Sequence, residues 1–164
     1  MKRNTRIFRF GDNISTDVHL SSKYRPIGTS LEELKSSAFG ELDSKFSTLV
    51  QDGDFLVAGK NFGLVSSRQD SAIVLKELGI SCVLAKSFGH MFYRNALNSG
   101  LPLVICDTEK ILDEDSIEVN FEDGQVRFRD EVLNFPPYPE SIMKMIKAGG
   151  LIPFIKENRG YYSN

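Results

Sequence analysis

The chain has 164 residues, 41% hydrophobic and 26% charged, with a formal net charge of −2. This is the composition of a soluble globular domain large enough for a real core, and without a basic block it argues against a nucleic-acid surface. No apolar run reaches membrane-spanning length and MKRNTRIFRF lacks a signal-peptide core, so one cytoplasmic domain over 1–164 is expected, with no membrane or nucleic-acid partner.

In chain order, TRIFRF (5–10) alternates as a first strand. The stretch GDNISTDVHLSSKYRPIGTS (11–30) reads as one long loop, of a kind that compact domains keep for function. SLEELKSSAF (30–39) predicts a short helix with a serine cap and two glutamates in its first turn. DGDFLVAG (52–59) is a turn running into a buried strand. SSRQDSAIVLKELG (66–79) places Ala72, Leu75 and Leu78 on one helical face and stops at Gly79. ISCVLAKS (80–87) is another apolar strand, FGHMFYRNALNSG (88–100) a helix closed by Gly100, and LVIC (103–106) a strand. Residues 54–106 therefore predict a parallel βαβαβ core. Beyond it, SIEVNFEDGQVRFRDEVLNF (116–135) alternates around a hairpin turn at EDGQ. PESIMKMIKAGGLIPFIKEN (139–158) gives a helix, a double-glycine break and a short amphipathic tail. The fold class is α/β. Cys82 and Cys106 stand in apolar runs without Cys-x-x-Cys spacing, and only His19 and His90 accompany them. Buried, reduced thiols are expected, and a metal held by this chain alone is not.

The triplet Ser66-Ser67-Arg68 allows two readings. Ser67 followed three residues later by Asp70 fits a capping box. Arg68 in a first turn opposes the helix dipole, however, and fits an anion site better. After a loop bearing Gly59 and Gly63, free amides, two hydroxyls and a guanidinium fork would together grip a carboxylate. A strand-end loop is where open α/β sheets bind ligands.

Three stretches carry a resemblance: FRFGDNISTDVHLSSKYRP, then GDFLVAGKNFGLVSSRQDSAIVLKELGISCVLAKSFGHMFYRNALNSGLPLV, then IKAGGLIPFIKE. In that order they resemble the small subunits of 3-isopropylmalate dehydratases, the detached swivelling domains of the aconitase family, over nearly the whole chain. The resemblance implies a β/β/α swivelling fold and a heteromeric hydro-lyase acting on a hydroxy dicarboxylic or tricarboxylic acid. It also implies a large-subunit partner that carries a [4Fe–4S] cluster, while this chain holds no cofactor. Matched residue by residue, Ser66 takes the place of the base, and Ser67 and Arg68 that of the substrate-binding pair. Asp17 and Asn61 are expected to support the site. Arg25 is the candidate for reading the distal part of the substrate, against the plainer reading of an exposed loop arginine.

The departures are as informative as the matches. Where relatives read GCGSSREHA, this chain reads GLVSSRQDSA, so Leu64 and Val65 replace cysteine and glycine. A β-branched residue resists positive φ, so Val65 is expected at negative φ with its side chain filling space that is open in relatives. For Arg94 a structural ion pair is the leading expectation, for Tyr93 and Asn95 packing, for His90 a helix-start surface position, and for His19 a loop histidine bonded to backbone. Homoaconitase, citraconate or dimethylmalate hydratases remain alternatives within the class, and a non-catalytic binding or regulatory protein of the same fold remains one outside it.

Overall fold

Four apolar runs become the strands of one parallel sheet: β1 (Ile7–Arg9), β2 (Asp54–Ala58), β3 (Ile80–Ala85) and β4 (Leu103–Ile105), side by side in that order. The computed structural model describes residues 5–20, 28–65, 68–113 and 115–158. Between the strands lie α1 (Thr16–His19), α2 (Leu31–Ser36), α3 (Phe46–Leu49), α4 (Asp70–Glu77) and α5 (His90–Asn98). The chain then forms β5 (Ile117–Asn120), β6 (Gln125–Phe128) and β7 (Glu131–Asn134), followed by α6 (Glu140–Lys147) and α7 (Leu151–Glu157).

Strand alternation sorts the core into two layers. Phe8, Leu56, Ala58, Val83, Ala85 and Leu103 face helices α2 to α5 through Leu34, Phe46, Ala72, Leu75, Phe92 and Ala96. The residues between them, Ile7, Phe55, Val57, Cys82, Leu84 and Val104, face Ile117, Val126 and Phe128 of the second sheet. Both faces being covered explains why β2 and β3 are apolar at nearly every position rather than alternating. Each strand joins the sheet beside its predecessor and parallel to it. Right-handed crossovers then put the helices on one face and leave the other for the small sheet. The result is a β/β/α sandwich.

Local chemistry accounts for most boundaries. Ser30 caps α2 in a full capping box, accepting from the Glu33 amide while Glu33 reaches back to the Ser30 amide. Asp54, fully buried, accepts from the amides of Arg6 and Gln51 at 2.9 Å each, which fixes the turn into β2 against β1. Gly79 ends α4 with φ 97°. The Lys76 ammonium reaches the carbonyls of Ser99 at 2.9 Å and Gly149 at 2.7 Å, so one cation stitches the C-terminal ends of α5 and α6 to α4. The Tyr138 hydroxyl accepts from the Leu103 amide at 3.1 Å and donates to the Leu103 carbonyl, which closes part of the open edge at β4.

Four expectations change. The stretch 11–30 contains the one-turn helix α1, and α3 was not anticipated at all. The expected hairpin is part of a three-stranded sheet, because a second reversal at Arg129-Asp130, with Arg129 at φ 49°, returns the chain as β7. Helix α4 opens at Asp70 with Gln69 at the cap position, so Arg68 precedes the first turn and the Ser67–Asp70 capping box does not describe this helix. Val65 has φ 59°. Its left-handed backbone overturns the expectation of negative φ.

Candidate active site

The C-terminal ends of β1, β2 and β3 release three loops that weave together. The tripeptides Gly11-Asp12-Asn13 and Gly59-Lys60-Asn61 follow β1 and β2 with the same Gly-x-Asn pattern, and both asparagines sit in the left-handed region, at φ 59° and 57°. Asparagine tolerates that region better than most residues. The Lys60 amide donates to Asp12 at 2.7 Å, the Asn13 amide to the Lys60 carbonyl at 2.7 Å, and the Asn61 side-chain amide to Asn13 Oδ1 at 2.8 Å. On the other side, the Asn61 amide donates to Ser87 Oγ at 2.8 Å and the Phe62 amide to the Ser87 carbonyl at 3.0 Å.

Downstream of Asn61 the chain is held just as closely. The amides of Gly63 and Leu64 both donate to the Ile14 carbonyl, at 2.9 and 3.1 Å, and the Gly89 amide donates to the Phe62 carbonyl at 2.8 Å. Gly63, at φ 79°, lies so close to Phe92 that an added Cβ would fall 2.4 Å from its side chain. A Cβ on Gly89 would fall 2.4 Å from the Gly63 carbonyl. Glycine at these two positions is what lets the loop cross over the start of α5. Leu64 and Val65 then turn outward, 39% and 68% exposed.

Of the expected site residues, Asn61 lies in this weave and Arg68 is exposed just ahead of α4. Asp17 is buried, 1% exposed, on α1. The Ser71 hydroxyl in α4 donates to the Thr16 carbonyl at 3.3 Å, so the element carrying Asp17 docks on the first turn after Arg68. Ser66, Ser67 and Arg25 lie outside the described residues. His90 opens α5 and is exposed, as expected. Arg94 is exposed with no ion-pair partner among the described residues, so its expected structural pairing is not met. His19 ends α1 with Nδ1 buried and 3.7 Å from Glu41, stacked near Phe39, rather than bonded to backbone through that nitrogen.

A cavity of about 230 Å³ opens at the same strand ends, lined by Arg9, Asp12, Lys60, Lys86, Thr108 and Glu109. Two of its cations are already engaged. Lys86 pairs with Glu109 and lies 3.6 Å from Asp107, and the Glu109 hydrogen bond first and these charges second hold its ammonium above the ordinary range. Arg9 donates to the Ile111 carbonyl and lies 3.7 Å from Asp113.

Asn13 and Ser87 were not anticipated from the sequence. The usable signal was the repeated Gly-x-Asn directly after two strands, which marks two left-handed residues at neighbouring strand ends.

The model of the Aconitase C-terminal domain family matches residues 13–108, a span that runs from Asn13 through the loops after β2 and β3. The chain belongs to that family. Among its relatives, the 3-isopropylmalate dehydratase small subunit of Halothermothrix orenii is 41% identical over 95% of this chain and 96% of its own length. The isopropylmalate/citramalate isomerase small subunit of Methanocaldococcus jannaschii is 43% identical over 93% of this chain and 92% of its own. A crystal structure of a 3-isopropylmalate dehydratase chain from the same archaeon superposes with a TM-score of 0.85 at 34% identity, covering 97% of this chain and 96% of that one. Each of these matches covers more than nine-tenths of both chains.

Proposed function

We propose that this chain is the small subunit of a 3-isopropylmalate dehydratase, a hydro-lyase of leucine biosynthesis that is active only with its large subunit. The observation that carries the proposal is identity near 40% along essentially the full length of small subunits bearing that name. The strand-end loop supports it, because its hydrogen-bonded weave around Asn61 stands at the edge where parallel sheets bind ligands.

Within this reading Ser66 removes the proton alpha to a carboxylate, Ser67 and Arg68 hold a carboxylate, and Arg25 reads the distal part of the substrate. Asp17 and Asn61 support them. A serine hydroxyl is a weak base, and a helix start supplies only about 0.3–1 kcal/mol toward an alkoxide. Most of the assistance has to come from a closed, dry interface and from groups the partner brings. Among the described residues no group of three or more His, Cys, Asp or Glu could hold a metal ion, and both cysteines point into the core between the sheets. These residues do not fit an iron–sulfur cluster. In this reading the large subunit brings the [4Fe–4S] group, as the likeness to the aconitase family implies, and the roles proposed for this chain are to hold the substrate, take the proton and exclude water.

The test is reconstitution with the co-purifying large subunit and assay on a panel of hydroxy acids. Isopropylmalate is expected to be the preferred substrate. Ser66→Ala should lower kcat by about 10²-fold or more. Arg68→Lys should raise KM, because an ammonium cannot copy the two-pronged contact. Full turnover in the Ser66 variant would remove it from the base role. The relative named for both isopropylmalate and citramalate favours a second reading, in which the same site also accepts the shorter methyl-branched acid.

A further inference from the structure

We infer that Asn13 and Ser87 are positioning residues for the loop that carries Ser66: they clasp Asn61 from both sides and thereby set the path of residues 62–65. This rests on the proposal that residues 66–68 are the chain's contribution to the reaction.

Asn61 is at φ 57° and exposed, so burial does not hold it in that conformation. Two side-chain contacts do. Its amide nitrogen Nδ2 donates to Asn13 Oδ1 at 2.8 Å, and its backbone amide donates to Ser87 Oγ at 2.8 Å. The Ser87 hydroxyl is also 3.4 Å from Asn61 Oδ1, so one serine meets both the backbone and the side chain of Asn61. The clasp therefore ties the exits of β1 and β3 to that of β2 at a single residue. From there Phe62, Gly63 and Leu64 each donate their amide to a neighbouring loop, so the register that the clasp sets at Asn61 is carried toward Val65.

The far side of the loop has a different anchor. Gln69 Nε2 donates to Ser99 Oγ at 3.1 Å, joining the start of α4 to the end of α5. Two anchors at opposite ends divide the labour. Loosening the clasp displaces the residues running into Ser66, whereas Arg68 is steadied from the Gln69 side. A base displaced by about 1 Å can cost as much as 10²-fold in rate, so the clasp should act on kcat rather than on KM.

The substitutions separate this from a bulk structural effect. Asn13→Gly removes the acceptor yet fits the left-handed backbone without strain, Asn13→Asp keeps both the acceptor and the tolerance for that backbone, and Ser87→Ala removes the hydroxyl. In the reconstituted complex, Asn13→Gly and Ser87→Ala should each lower kcat by about tenfold or more while KM stays within about threefold, and Asn13→Asp should keep the wild-type kcat. In the free chain, hydrogen exchange should quicken at the Gly63 and Leu64 amides in the first two variants, with the β2 and β3 amides unchanged. Unchanged exchange at 63 and 64 overturns the inference, as does a kcat within about twofold of wild type. A wild-type complex that turns over no hydroxy acid would sink the proposed function instead, while the exchange experiment would still decide the clasp.

Discussion

Replacing Val65 by alanine and, separately, by glycine isolates the cost of its backbone conformation. Both changes remove the two γ-methyl groups, and glycine also the Cβ, from a side chain that is 68% exposed, so the packing lost is small and differs little between them. What differs is the response to φ 59°. The left-handed region costs an L-residue roughly 1–2 kcal/mol, and glycine is free of that cost. Glycine's greater freedom in the unfolded chain returns about 0.4–1 kcal/mol in the opposite direction. The glycine variant should therefore be the more stable of the two by about 0.5–1 kcal/mol, or a few degrees in Tm for a chain of this size. Urea unfolding of both variants, followed by circular dichroism and fitted with a shared slope, measures the difference. At negative φ the order reverses, because only the unfolded-state term remains. An alanine variant equal to or more stable than the glycine variant would refute the left-handed assignment and everything built on it.

Two other predictions concern the scaffold. Lys76→Met keeps the aliphatic stem but leaves the Ser99 and Gly149 carbonyls without their cation, and should cost about 1.5–3 kcal/mol in urea unfolding; a loss under about 0.5 kcal/mol would mean that water replaces the ammonium freely. The thiols predict an alkaline weakness. Burial pushes Cys106 from its ordinary 9.0 up to about 12, with Asp107 adding to it, and burial first and Cys106 second push Cys82 well above 9.0. Below pH 9 native and unfolded chains both keep these protons; between 9 and 12 the unfolded chain releases protons that the native chain retains. Native stability should fall as pH rises through that window, by up to about 1.4 kcal/mol per unit for each thiol. A Cys82→Ala, Cys106→Ala double variant should lose this slope, and an unchanged slope would show that other groups set it.

The fold was legible where one force dominated. The nearly continuous apolar runs of β2 and β3 marked strands buried on both faces, and Ser30 with Glu33 marked the start of α2. The short helices were not legible. Thr16–His19 and Phe46–Leu49 each make a single turn, too short for a periodic pattern. They form because Phe46 and Leu20 are buried in the helical layer, a tertiary cause that local sequence does not carry. β7 was hidden for a related reason. Its reversal puts Arg129 at positive φ, and neither Arg129 nor Asp130 is the glycine that would have announced it.

At the candidate site the backbone at Val65 was misread. Three of the five described non-glycine residues at positive φ, namely Asn13, Asn61 and Val65, lie in the strand-end loops. For the asparagines residue type and conformation agree. For Val65 they conflict, and the conflict says which force prevails. Gly63 and Leu64 are fixed to Ile14 on one side, and α4 begins at Asp70 on the other, steadied by Gln69 on Ser99. Hydrogen bonds on both sides of Val65 outweigh the roughly 1–2 kcal/mol that valine loses in the left-handed region. The backbone at Val65 is therefore expected to hold when its side chain changes. Replacing Val65 by glycine is then expected to leave the φ 59° backbone in place and to alter what projects from it. Any effect of Val65 on substrate choice must then come from its exposed methyl groups, and the alanine variant, which removes them, should match the glycine variant in substrate ranking while differing from it in stability.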